Sequence, residues 1–145
     1  MKALLQRVSA ASVRVDGECV GEIGQGLLVL LGLDKGDDEA AALRMLDKLL
    51  AYRVFADGSG RMNCSVSDVG GGILLVSQFT LSADTRKGLR PSFSSALPPA
   101  EAEALYGRIL EMLRERHSNV AAGRFGADMQ VSLTNDGPVT FLLES

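Results

Sequence analysis

Leu27-Leu28-Val29-Leu30-Leu31 is the stretch that decides the architecture. A continuous apolar run this short, preceded by Gly24-Gln25-Gly26, fits a strand buried on both faces. Ile73 to Val76 repeats the signal and runs directly into Ser77-Gln78-Phe79-Thr80-Leu81. Upstream, Ala3, Leu5 and Arg7 alternate with Leu4, Gln6 and Val8, and Val13 and Val15 flank Arg14. Period-two alternation is the mark of a strand covered on one face. Asp16-Gly17 is a two-residue turn signal, and Cys19 to Ile23 then reads as a short return strand.

Downstream, Asp37 or Asp38 can cap a helix whose core stripe is Leu43, Leu46 and Leu50, with Leu49 on its flank. Arg53-Val54-Phe55 predicts a strand ending at Asp57-Gly58-Ser59-Gly60, followed by an irregular connection from Arg61 to Gly72. Residues 82–97 have no period, and a loop of that length inside a compact domain tends to be functional. Pro98-Pro99 opens a second helix with the apolar face Ala102, Leu105, Tyr106, Ile109, Met112 and Leu113. Arg114, Arg116 and His117 suit the negative end of its dipole. Met129 to Leu133 and Val139 to Leu143 predict two closing strands with Asn135-Asp136-Gly137-Pro138 between them.

The expected fold is therefore α/β of the α+β type. It has a mostly antiparallel, barrel-like sheet and two main helices, in a single domain over residues 1–145. Two helices cannot cover both faces of so many strands, so a second copy is the expected cover and the expected state is a homodimer.

Charge narrows the partners. Fifteen Lys and Arg against eighteen Asp and Glu give a net charge of −3, so the surface as a whole is not built to capture nucleic acid. An RNA partner needs a local grip, and Arg86-Lys87-Gly88-Leu89-Arg90 is the best candidate, beside the plainer reading of a solvated loop. No apolar run is long enough to span a bilayer, and Arg7 interrupts the first one before a signal-peptide core forms, so no membrane partner is expected. Two cysteines make no disulfide framework, and the expected compartment is the cytoplasm.

The chemistry is narrowed mainly by exclusion. There is no P-loop, and Gly70-Gly71-Gly72 precedes a strand, so it is no dinucleotide fingerprint. Cys19, Cys64 and His117 are the only soft ligands and lack paired spacing, so neither metal nor cofactor is expected. The single histidine reads as a helix C-terminal cation, which leaves a hydrolase here without a Ser-His-Asp triad. Two segments remain. Ser77-Gln78-Phe79-Thr80 is either a polar strand terminus or a place where freed N–H groups face a ligand. Asn135 to Thr140 is either a hairpin turn or, if Gly137-Pro138 is cis, a rigid presentation of carbonyl oxygens with no Cβ on the glycine to obstruct a ligand.

Taken together, these segments resemble the bacterial D-aminoacyl-tRNA deacylase family. The likeness is carried by Arg7-Val8-Ser9-Ala10-Ala11-Ser12-Val13, Ser77 to Leu81, Asp84 to Phe93, Gly123 to Met129, and Asn135-Asp136-Gly137-Pro138-Val139-Thr140. It implies a homodimeric hydrolase of the ester joining a D-amino acid, or glycine on a non-cognate tRNA, to the terminal adenosine of tRNA, with no DNA partner.

By the same resemblance, Gly137-Pro138 is a cis peptide reaching into the partner's site and rejecting L side chains, and Arg7 holds it in place. Ser77, Gln78, Phe79 and Thr80 form the catalytic segment, with the Phe79 and Thr80 N–H groups facing the scissile carbonyl. Phe125, Ala127 and Met129 line the substrate pocket, and Arg86, Lys87 and Arg90 hold tRNA. A covalent role for the Thr80 hydroxyl is the rival mechanism. A non-catalytic tRNA-end binding module and an esterase of small molecules are the rival functions.

Overall fold

A computed structural model describes residues 1–145. Strand β1 (Lys2–Val15) turns at Asp16-Gly17 into β2 (Glu18–Ile23), and β3 (Gly26–Gly32) follows at once. Asp16 and Gly17 take φ of 50° and 80°, the left-handed pair a tight hairpin requires. Helix α1 (Glu39–Ala51) starts at Asp38, whose side chain accepts from the Ala41 N–H. A small hairpin follows, β4 (Phe55–Ala56) and β5 (Met62–Cys64), then one helical turn, α2 (Val66–Val69). Strand β6 (Gly72–Ser77) ends in a 3-10 turn at Phe79–Ser82. Helix α3 (Pro99–Arg116), β7 (Val120–Ala122) and β8 (Gln130–Glu144) complete the chain.

The sheet is mixed. β1 pairs antiparallel with β8 along one edge, and with β3 and then β2 along the other. β6 adds to β3 in parallel and β7 to β6 in parallel. β2 curls back toward β7: a Cβ on Gly21 would lie 2.6 Å from the Ala122 carbonyl oxygen. The result is nearly a barrel.

Both apolar runs are covered on both faces, as their composition demands. Leu27, Val29, Leu31, Ile73 and Leu75 join the 23-residue cluster under α1 and α3. Leu28, Leu74 and Val76 point the other way, into a seven-residue cluster with Val8, Ala11, Val13 and Ile23. Tyr106 ties α3 to the sheet, its hydroxyl donating to the Leu75 carbonyl at 2.9 Å. His117 caps α3, its N–H bonded to Leu113 and its Nε2 donating to the Gly71 carbonyl at 2.7 Å.

Three expectations are corrected. The strand expected at Arg53 starts only at Phe55, because the Val54 carbonyl is taken by an arginine side chain. The irregular stretch from Arg61 to Gly72 contains β5 and α2, the latter built on a capping box between Ser65 and Asp68. The two closing strands with a hairpin between them are one strand, β8, whose partner throughout is β1.

Two predictions follow from the packing. A Cβ at Gly26 would fall 1.9 Å from the Gly72 carbonyl oxygen, whereas one at Gly24 meets nothing within 4 Å. Gly26→Ala should lower stability by about 3 kcal/mol and Gly24→Ala by less than about 0.5 kcal/mol, read from urea unfolding. Burial pushes the Tyr106 hydroxyl from 10.0 up to about 12 against a smaller opposing effect of Arg114. The folded chain then holds a proton that the unfolded chain releases, so Tyr106 contributes stability below pH 10 that is lost as pH rises to about 12. Tyr106→Phe should flatten that part of the stability profile.

Candidate active site

Strands β3, β6 and β7 are parallel and end at one edge of the sheet, where such sheets characteristically bind ligands. The ladder between β3 and β6 closes with the Gln78 N–H on the Leu31 carbonyl at 2.8 Å, and the chain then turns sharply into the 3-10 segment. Leu81 and Ala83 donate back to the Gln78 and Thr80 carbonyls, but the N–H groups of Phe79 and Thr80 are donors in no hydrogen bond of the chain. They are the orphan donors of a helical first turn, and both residues are exposed. The Gln78 side chain donates its Nε2 to the Thr80 hydroxyl in a short hydrogen bond. An amide donor cannot take a proton from that hydroxyl, so the turn contains no base for Thr80.

The turn is fixed from beneath. Gly32 lets it sit directly on β3, since a Cβ there would lie 2.8 Å from Leu81 Cβ. The buried Ser82 hydroxyl donates to the Leu33 carbonyl at 3.2 Å, and Ser95 Oγ donates to the Ser82 carbonyl at 2.7 Å. Burial alone would raise the Asp34 carboxyl; the polar Ser82 hydroxyl nearby, the Met1 ammonium at 3.0 Å and Lys2 outweigh it and hold the group below the usual carboxylate range.

Two segments gather around this turn. Phe79 meets Phe93 with ring centroids 5.1 Å apart, which brings in the base of the 84–92 loop. That loop is closed by paired hydrogen bonds between Asp84 and Ser92. Arg86 forms a two-pronged ion pair with Asp84 at 2.9 and 2.8 Å, and this arginine holds the Asp84 carboxyl well below the usual range. Lys87 and Arg90 are in no ion pair. The Gly123 to Met129 segment continues β7 beside the end of β6: Gly123 bonds to the Leu75 carbonyl, and Met129 closes over Gly123 and Val76. Phe125 packs on Tyr106 at 5.8 Å, under the helix face, and Ala127 sits half-buried in the turn that returns toward Met129.

Arg7, Gly137 and Pro138 form a second constellation. Gln6 pairs with Thr140 and Val8 with Asn135, so Asp136, Gly137, Pro138 and Val139 stand opposite Arg7 alone and bulge out of the strand. The Gly137-Pro138 peptide is cis and Gly137 has φ 132°, a region that favours glycine. Arg7 pins the bulge: its guanidinium donates to the Asp136 carbonyl at 3.1 Å and to the Val54 carbonyl at 2.7 Å. Asn135 closes the neck, its side chain accepting from the Val139 N–H and donating to Thr140 Oγ1.

The two constellations are apart within one chain. Arg7 pairs with Leu27 at one end of β3, whereas Ser77 pairs with Leu31 at the other. At strand spacings, that is about 13 Å along β3 and about 14 Å across from β8 to β6. What the sequence did not reveal is that Asp84 neutralises Arg86. A carboxylate two residues before an arginine at a loop base was the available signal.

No group of three His, Cys, Asp or Glu side chains is placed to hold a metal ion, and no helix is long and apolar enough to cross a membrane. A model of the D-Tyr-tRNA(Tyr) deacylase family matches residues 4–144. The D-aminoacyl-tRNA deacylase of Stutzerimonas stutzeri is 66% identical over 145 residues, covering 100% of both chains. A solved structure described as a c-Myc DNA unwinding element binding protein superposes with a TM-score of 0.96 at 47% identity, covering 100% of this chain and 99% of that one. Another, described as a probable eukaryotic D-amino acid tRNA deacylase, shares the fold with a TM-score of 0.85 at 18% identity over 98% and 97% of the two chains.

The pinning of the bulge is open to test. Arg7→Ala should leave the Val54 and Asp136 carbonyls without their donor and lower stability by about 1–3 kcal/mol. Amide exchange at Val139 should quicken markedly while that at Leu75 stays protected to the level of global unfolding, both read by NMR.

Proposed function

The chain belongs to the D-Tyr-tRNA(Tyr) deacylase family and is a hydrolase of the D-aminoacyl-tRNA deacylase kind, and from that premise we propose a two-chain site that proofreads handedness. The observation that carries the reading is the unpaired pair of N–H groups on Phe79 and Thr80, exposed at the carboxyl ends of three parallel strands. An ester carbonyl placed there becomes an oxyanion when water adds to its carbon, and two preorganised amide donors stabilise that charge; losing one typically costs about 2.7–4 kcal/mol in other hydrolases. Collapse then breaks the bond to the ribose oxygen, which leaves protonated with the tRNA, and frees the amino acid. The one histidine, His117, is engaged with the Gly71 carbonyl at the end of α3, and the turn supplies no base beside Thr80; as the family resemblance implies, the neighbouring ribose 2′-hydroxyl of the substrate helps activate the water. Neither metal nor cofactor enters.

Selectivity comes from the other constellation. In one chain the Gly137-Pro138 bulge lies too far from Phe79 and Thr80 to share a pocket with them. A second copy docked along the exposed edge of β8 brings its own bulge over the turn. That edge favours such docking: it is long, it carries exposed Leu133, Phe141 and Leu142, and natural sheets rarely leave such an edge open. The bulge then stands where an L side chain would point, and D side chains of any kind point away. Glycine, which has no side chain to reject, passes, so glycyl-tRNA charged on a non-cognate tRNA is a further substrate.

Gln78 orients the ester through the Thr80 hydroxyl, and Phe125, Ala127 and Met129 form the pocket's flank beside Ser77. Lys87 and Arg90 take backbone phosphates, with Arg86 joining them only at the expense of its Asp84 pair. The reaction belongs in the cytoplasm, where tRNA is charged. DNA lies outside it: a strand without 2′-hydroxyls lacks the group that helps activate water.

The test is hydrolysis of D-tyrosyl-tRNA alongside L-tyrosyl-tRNA. The D ester should be consumed and the L ester left intact. Thr80→Ala, which keeps the N–H, should retain activity within about 10-fold, since no general base supports a nucleophilic hydroxyl. Complete loss with an intact fold would favour the covalent route, and protection of the D ester would favour a binding module.

A further inference from the structure

The 84–92 loop carries a residue that the reaction does not use. Leu89 is 103% exposed, more than any other large apolar side chain in the molecule. It stands at the apex with Gly88 in the left-handed region, φ 67°. The loop is braced at its base by the paired Asp84 and Ser92 hydrogen bonds and the Arg86–Asp84 ion pair. A leucine left wholly in water gains nothing from the hydrophobic effect. One held out on a braced loop is available to a partner that can bury it.

The flanking charges say what. Lys87 and Arg90 straddle Leu89, both exposed and outside every ion pair, on a chain whose net charge is −3. A local cationic clamp on an acidic protein suits an anionic partner with an apolar face in its middle. A nucleotide has that composition, with phosphates on either side of a base.

Resting on the tRNA reading above, we propose that Leu89 is a base-contact residue for the unpaired acceptor strand upstream of the terminal adenosine. Its side chain packs on the face of a base while Lys87 and Arg90 hold the phosphates to either side. The reach is sufficient. The Phe79–Phe93 contact fixes the loop base at the turn, and Ser92 to Leu89 spans at most about 10 Å. At about 3.4 Å per stacked nucleotide that is at most about three nucleotides beyond the loop base. Apolar packing on a base face tolerates any base, which suits an enzyme that edits many tRNAs.

The experiment compares wild type, Leu89→Ser and Leu89→Phe on D-tyrosyl-tRNA and on D-tyrosyl-adenosine, which has no upstream nucleotide. Binding of uncharged tRNA is measured in parallel. Leu89→Ser should raise KM for the tRNA about 5-fold with kcat unchanged, and weaken tRNA binding similarly. Leu89→Phe should restore or tighten both. Hydrolysis of the adenosine ester should be the same in all three. The salt dependence of tRNA binding should be kept in Leu89→Ser and become shallower in Lys87→Ala and Arg90→Ala, since only the latter remove phosphate contacts. The proposal is overturned if Leu89→Ser binds tRNA as wild type does, if it loses equally on both substrates, or if it alters sedimentation, which would mean a second chain covers the residue. If wild type hydrolyses neither ester, the deacylase reading fails, while the binding comparison still decides the role of Leu89.

Discussion

The parallel pairing of β3 with β6 is the constraint on which the rest depends. These strands share Gly26 opposite Gly72 at one end, where no side chain fits, and Leu31 opposite Ser77 at the other. Between those limits every side chain is apolar, alternating between a core under the helices and a smaller core inside the curled sheet. Burial on both faces admits no slip of register, because a one-residue shift would exchange the two faces. The position of the 3-10 turn is thereby set by the two most buried strands in the chain, and the amide donors of Phe79 and Thr80 inherit that rigidity.

The second constellation depends on a different pairing. β1 holds β8 on both sides of the Asp136 to Val139 bulge, from Lys2 opposite Glu144 to Arg14 opposite Gln130. A loop between two strands would be free to sway at its tip. A bulge inside one continuous ladder is clamped at both ends, and Arg7 adds a third anchor by joining it to Val54. Rigidity of that order is what the proposed selection by steric rejection would need, since a barrier that yields by an ångström discriminates little.

Much of this was legible in the sequence. The buried strands at 27–31 and 73–76, the Asp16-Gly17 turn and the proline start of the second long helix each rest on a local rule, and each holds; of the two aspartates offered as caps for the first helix, Asp37 and Asp38, it is Asp38 that serves. The misreading at Asn135 to Pro138 has a physical cause. Asp-Gly and Gly-Pro are turn signals at the level of four residues, and nothing local says that the strands on either side share one partner. That information lies in β1, more than a hundred residues away. β7 went unread because Val120-Ala121-Ala122 is too short to show a period and gains its place only from the edge of β6. The Ser77 to Thr80 segment was visible as a motif, but its free N–H groups are a property of the turn and belong to no side chain.

The opposed placement of the two constellations on β3 has an arithmetical consequence. On the two-chain site proposed above, a pair of chains related by a twofold axis would complete two sites or none, because each would contribute the barrier to one and the amide donors to the other. Mixing chains defective in one half with chains defective in the other would therefore regenerate a single working centre per hybrid pair, as happens whenever function is divided between identical halves. Dilution, in turn, would part the barrier from the amide donors, and a lone chain would keep its donors without the wall that tells the enantiomers apart.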